Sequence, residues 1–208
     1  MDDQPPTKVA VAALSGPRLG GARAVELPSL MTGATTTALP SKEEIVTTLT
    51  QQLHHEHEHL LPHIEALRTV ADTVGRATPE ALGTALADLQ LFLADHLIPH
   101  AEAEERVLYP AVARVMGAAE ATATMSREHA EVGRLARELG TLREAMGRDG
   151  LNGEGQAALR RVLYGLYTLV KVHFAKEEEI YLPLLEERLT ASEAEQLLAE
   201  LAHPDPRR

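Results

Sequence analysis

Apolar residues in this chain recur at steps of three and four along four long stretches, and that period decides what it can fold into. Val46, Leu49, Leu53, Leu60, Ile64, Leu67 and Ala71 form the first stripe, which ends near Gly75. Leu82, Leu86, Leu89, Leu93, Val107, Ala111 and Val115 form the second, closed by Gly117. Val132, Leu135, Leu139, Leu142 and Met146 form the third, over about 119–146. Leu159, Val162, Leu166, Val170, Ile180 and Leu184 form the fourth, over about 154–188. Side chains three and four apart share a helix face, so each stripe is the buried side of an amphipathic helix. Ser41-Lys-Glu-Glu44 reads as a capping box, and Thr78-Pro79-Glu80 as a threonine cap with proline at the first helical position. Thr190-Ala-Ser-Glu193 opens a short last helix.

Four long helices with short connections predict an all-α fold, an antiparallel up-down-up-down four-helix bundle over residues 41–188. A short C-terminal helix and tail follow over 189–208. Residues 1–40 mix Pro, Gly and Thr without a sustained period and read as an extended N-terminal arm. The composition agrees: Ala, Leu and Glu dominate, residues that lose little side-chain freedom in a helix. The formal charge of −11 comes without a basic cluster able to track a phosphate backbone, which argues against nucleic acid as a partner. With no Cys there is no disulfide framework, thiolate cluster or Cys nucleophile, so any metal must be held by His and carboxylates. No apolar run is expected to reach bilayer length, and "MDDQPPTK" is acidic where a secretory signal would be basic. A cytoplasmic protein without a membrane partner is the expectation.

Chemistry enters through a string that occurs twice, "HAEAEERVLYP" from His100 and "HFAKEEEIYLP" from His173. Both place a Glu four residues after a His, at Glu104 and Glu177. His100 to His173 and Glu104 to Glu177 each span 73 residues, and His57 to His129 spans 72, each of the latter preceded by Glu. Such a duplication gives a bundle a pseudo-twofold axis on which two ligand sets can meet. Positions i and i+4 lie roughly 6 Å apart on one helix face, and both pairs fall on apolar stripes. A buried carboxylate without a partner costs several kcal/mol or more. Two of them beside four imidazoles make sense if positive charge is supplied, as by two metal ions bridged by the carboxylates. The competing reading is a chance pair on a solvated face, which two copies on core stripes disfavour.

The segments "EHEHLLPHIEAL" (56–67), "HLIPHAEAEERVLYP" (96–110), "REHAEVGRL" (127–135) and "HFAKEEEIYLP" (173–183) resemble the hemerythrin-like family, the HHE cation-binding domains. The resemblance covers roughly residues 41–188 and implies an antiparallel bundle around two Fe ions, a non-haem, oxo- or hydroxo-bridged di-iron centre. Carried over position by position, it implies His57, His100, Glu104, His129, His173 and Glu177 as ligands. Oxygen-carrying members place a second histidine four residues after the first on the third helix, where this chain has Gly133. A position open to a small ligand follows, so peroxide detoxification or sensing of O2 or NO is favoured over O2 carriage, with catalase-like disproportionation of H2O2 as the enzymatic form. His96 is either a further ligand or a hydrogen-bond partner of one, and His63, at the stripe edge behind Pro62, is a further candidate for the metal site or for holding one of its ligands. Tyr109 and Tyr181 follow the motif glutamates closely enough to approach the site, while Glu105 and Glu178 are expected to face outward or pair with Arg. His55 and His59 diverge from His57 by about 200° and belong to a solvent face. A reading from another class is metal storage or a structural Zn or Mn bundle serving as an interaction or sensory module, residues 1–40 contacting a protein partner or a second copy in a homo-oligomer.

Overall fold

The computed structural model of the chain describes residues 40–202. Among them there is no strand, and the fold is all-helical. The helices are α1 Lys42–Thr73, α2 Pro79–Met116, α3 Ala123–Asp149, α4 over residues 153–188 and α5 Ala191–Ala202. The arm expected over 1–40 lies, but for Pro40, outside the described residues, as does the end of the tail.

Local chemistry sets the helix starts. The Ser41 hydroxyl accepts from the Glu44 N–H at 3.3 Å while the Glu44 carboxylate accepts from the Ser41 N–H at 2.7 Å, which closes the capping box. Thr78 caps α2 ahead of Pro79, and the Asn152 side chain accepts from the Gly155 N–H at 2.8 Å to start α4. Gly117 ends α2 with φ 67°, a left-handed conformation that costs a residue without Cβ little. The third helix begins at Ala123 rather than near 119, because the residues after Gly117 are spent reversing the chain.

Three wide turns interrupt the long helices, at Leu93–Leu97, Glu104–Leu108 and Glu177–Tyr181. Each ends two residues before a proline: Pro99, Pro110 and Pro183. Proline has no N–H and collides with the carbonyl four residues back, which disfavours the regular ladder at these three places, although α1 passes Pro62 without a wide turn. The helix widens instead, and the N–H groups of Ile98, Tyr109 and Leu182 reach back five residues to Leu93, Glu104 and Glu177. The extra residue turns everything after it by roughly 100° relative to a regular helix. That rotation corrects one expectation. Ile180, read as part of the fourth stripe, is 54% exposed, while Tyr181, Leu182 and Leu185 take the core positions.

The core divides into two apolar clusters. One joins Leu60, Ile64 and Leu67 of α1, Leu86, Leu89 and Leu93 of α2, Leu135 and Leu139 of α3, and Leu159, Leu163 and Leu166 of α4. The other joins Val46, Leu49 and Leu53 of α1, Val107 and Leu108 of α2, Met125 of α3, Leu182 and Leu185 of α4, and Ala194 and Leu197 of α5. In sequence, His57, His100, Glu104, His129 and Glu177 fall between the stretches that enter the two clusters, and His173 directly precedes Phe174, the last α4 member of the first. Helix α1 packs on α2 and α4, α3 packs on the same two, and α5 lies along α1. Against expectation, α2 is by length and a mean hydropathy of 1.2 apolar enough to cross a membrane. Its apolar residues enter both core clusters, and it carries the buried Glu104.

Candidate metal centre

Between the two apolar clusters the four long helices bring His57, His100, Glu104, His129, His173 and Glu177 together. His57, Glu104, His173 and Glu177 are 4% exposed or less. The donor atoms of His57, His100 and Glu104 lie within 4.8 Å of one another, as do those of Glu104, His129 and His173, a spacing that could hold a cation in each group. Glu104 turns one oxygen to each group: Oε1 is 3.0 Å from His100 Nε2 and 3.6 Å from His57 Nε2, and Oε2 is 3.3 Å from His129 Nε2. Glu177 does the same, with Oε2 3.5 Å from His57 Nε2 and Oε1 3.3 Å from His173 Nε2. Both glutamates begin a wide turn, so the proline downstream sets the local path of the helix that presents them.

Each imidazole is gripped from behind. His57 Nδ1 lies 2.5 Å from Glu178, His100 Nδ1 3.3 Å from Glu56, His129 Nδ1 2.9 Å from Glu105, and His173 Nδ1 2.9 Å from Glu128. The four pairs form a closed ring, in which every helix lends one carboxylate to the histidine of the next: α1 to α2, α2 to α3, α3 to α4 and α4 back to α1. A carboxylate only accepts, so each Nδ1 carries the proton and each Nε2 presents a lone pair inward. Lone pairs of His129 and His173 then face one another at 2.8 Å. The buried atoms His57 Nε2, His100 Nε2, both Glu104 oxygens and Glu177 Oε2 have no hydrogen-bond partner among the described residues. Orphaned inward acceptors on every side are what a positive charge between them would satisfy, so the donor set fits cations bound through nitrogen and oxygen.

Without a cation, protons take that role. Burial pulls the His100 pKa down, but Glu104 and Glu56 outweigh it and push it up to about 10. His173 follows the same balance, burial against Glu104, Glu177 and Glu128, and is also raised to about 10. Burial works against the Glu104 charge, yet His100, His129 and His173 hold its carboxyl well below the usual range. Tyr109 reaches in from α2, donating to Glu177 Oε1 at 2.8 Å with His173 Nε2 at 3.1 Å and His129 Nε2 at 3.3 Å. Burial first, then Glu104 and Glu177, raise its phenol far above the ordinary value, so it stays protonated.

Other sequence expectations land elsewhere. His63 and His96 are exposed and outside both donor groups; His63 stacks on Phe92 at 4.8 Å, with His96 6.3 Å from the same ring. Tyr181 is buried, but its hydroxyl points to the Ala121 carbonyl at 3.4 Å. His55 and His59 are exposed, as the helix period requires. Glu105 and Glu178 hold His129 and His57 rather than pairing with Arg; Glu105 is exposed, as expected, while Glu178 is half-buried. The signal was in the sequence: a Glu precedes His57 and His129, and a second Glu follows Glu104 and Glu177, in both copies.

A family model described as the hemerythrin HHE cation binding domain matches residues 48–202. Comparison with curated proteins and with solved structures gives no match.

Proposed function

The chain belongs to the hemerythrin HHE cation-binding domain family, and from that premise we propose that it is a non-haem di-iron protein reacting with a small oxygen or nitrogen ligand, peroxide or NO in preference to carrying O2. The observation that carries the reading is the pair of carboxylates that each turn one oxygen to either histidine pair. Glu104 and Glu177 would be shared between two ions, with His57 and His100 holding one and His129 and His173 the other. When bound, a redox-active pair supplies or accepts two electrons in contact with the small ligand. The protein contributes the rest. Glu56, Glu105, Glu128 and Glu178 fix the tautomer of the four imidazoles, the apolar clusters pack on either side, and Tyr109 places its hydroxyl next to the His129 and His173 donors. Iron rather than zinc or manganese is part of the proposal, since a His and carboxylate set accommodates all three.

The antiparallel up-down-up-down arrangement belongs to the same reading. Along the sequence, α1 and α3 leave the second cluster for the first, while α2 and α4 run from the first to the second. The test is metal analysis of protein produced with iron, together with its optical spectrum and peroxide or NO reactivity. Two irons per chain with near-ultraviolet and visible absorption that responds to peroxide or NO are expected. Stoichiometric zinc without such bands, or iron indifferent to both ligands, sinks the proposal.

A further inference from the structure

The buried layer uses only part of the string "HHEHEH" over residues 54–59. Glu56 and His57 serve it, while His54, His55, Glu58 and His59 lie on the exposed face of α1. The rings of His55 and His59, one turn apart, have their centroids 4.1 Å from each other. Glu58 sits between them in sequence, its Oε2 3.6 Å from His55 Nδ1. The other oxygen, Oε1, is 3.4 Å from His54 Nε2, and His54 Nδ1 is in turn 2.7 Å from Glu178 Oε2. Glu58 is thus steadied by an imidazole that α4 holds, which leaves its second oxygen turned toward His55.

The fold does not ask for these side chains. At the offset of 72 that relates His57 to His129, the residues His54, His55, Glu58 and His59 correspond to Ser126, Arg127, Ala130 and Glu131. Glu56 and His57 recur as Glu128 and His129, so the two halves share what the layer needs and differ outside it. The outer face of α3 carries an arginine and an alanine where α1 carries donors. On α1 no Arg or Lys occurs between Lys42 and Arg68, and among the described residues Glu58 pairs with neither type. Histidines four apart have Cβ atoms roughly 6 Å apart, so exposed rings can close on one ion by rotating. Neutral imidazole with a carboxylate suits a borderline divalent cation. We propose that His55, Glu58 and His59 form a surface site for a divalent cation of the zinc, nickel or copper class, separate from the buried layer. Three donors on one exposed turn leave the other coordination positions to water, so the ion is held more weakly than one in the layer and a chelator removes it first.

This site does not depend on what fills the layer, and the two are read apart by histidine position. Zinc alone is the probe, added to the untagged full chain, with diethyl pyrocarbonate labelling read by peptide mass spectrometry. Zinc should protect His55 and His59 together, while His63 and His96, also exposed, keep reacting at their zinc-free rates. His55→Ala should raise the zinc concentration that protects His59 about tenfold or more, at least what loss of a ligand's outer partner costs. Glu58→Gln should raise it for both histidines. The triple variant His55→Arg, Glu58→Ala, His59→Glu carries the residues that α3 has at the matching places. It should lose the chain's retention on immobilised nickel, at unchanged helicity and unchanged metal in the layer. Protection confined to His57, His100, His129 and His173, equal protection of His63 and His96, or full nickel retention by the triple variant overturns the surface site.

Discussion

Glu104 and Glu177 are nearly inaccessible carboxylates, 1% and 0% exposed, and among the described residues no arginine or lysine lies within ion-pair distance of either. Burial that deep costs several kcal/mol per uncompensated ion, so the histidines and whatever charge they hold must answer for them. Glu104→Ala and Glu177→Ala should each reduce bound metal from two ions per chain to one or fewer, read by elemental analysis of the purified variant. Retention of both ions in either would remove the bridging role. The carboxylates behind the imidazoles make a subtler prediction. Glu178→Gln leaves His57 in place but weakens the acceptor on its Nδ1, and loss of such a partner costs metal affinity about 10–100-fold. His59→Ala, on the exposed side of the same helix, should leave affinity unchanged in the same competition titration with a chelator.

At the scale of the element, proline placement governs the register of α2 and α4. Pro110 and Pro183 sit at matching places in the duplicated strings, and the wide turn ahead of each moves the following residues round by one position. The result can be read in the stability of two neighbours. Ile180→Lys should cost little, within about 0.5 kcal/mol, because the side chain already faces solvent. Leu185→Ala, at 0% exposure, should cost about 2–5 kcal/mol in denaturant unfolding. A regular helix through this region would instead leave Ile180 nearer the core stripe and make the first substitution the expensive one.

The whole molecule is two apolar cores separated by a charged layer, and its stability without metal should follow the protonation of that layer. His100 and His173 are raised from 6.5 to about 10, so the stability they give is fully present below 6.5 and is lost as pH rises toward 10. Glu104 is lowered, so its contribution is present above 4.5 and is lost as pH falls further. The metal-free protein should therefore melt at its highest temperature between these limits and lose several degrees by pH 10, as calorimetry would show. A flat or rising profile over that range would contradict the ion-paired layer. Metal binding should reverse the alkaline trend, because it needs the deprotonated imidazoles, and stripping the ions with a chelator at neutral pH should lower the melting temperature.

Much was legible from periodicity and duplication alone. Steps of three and four fixed four long helices and the faces of His57, His100, Glu104, His129, His173 and Glu177, because helix geometry is local and a side chain's azimuth follows from its place in the stripe. Capping residues marked the starts for the same reason. Local rules could not foresee Ile180 turning outward, since that follows from how a widened turn and a proline resolve within a packed helix. Nor could they assign Glu56, Glu105, Glu128 and Glu178 to their histidines, as each of those contacts crosses from one helix to the next. Azimuth is a property of one helix; which carboxylate meets which imidazole is a property of helices in contact.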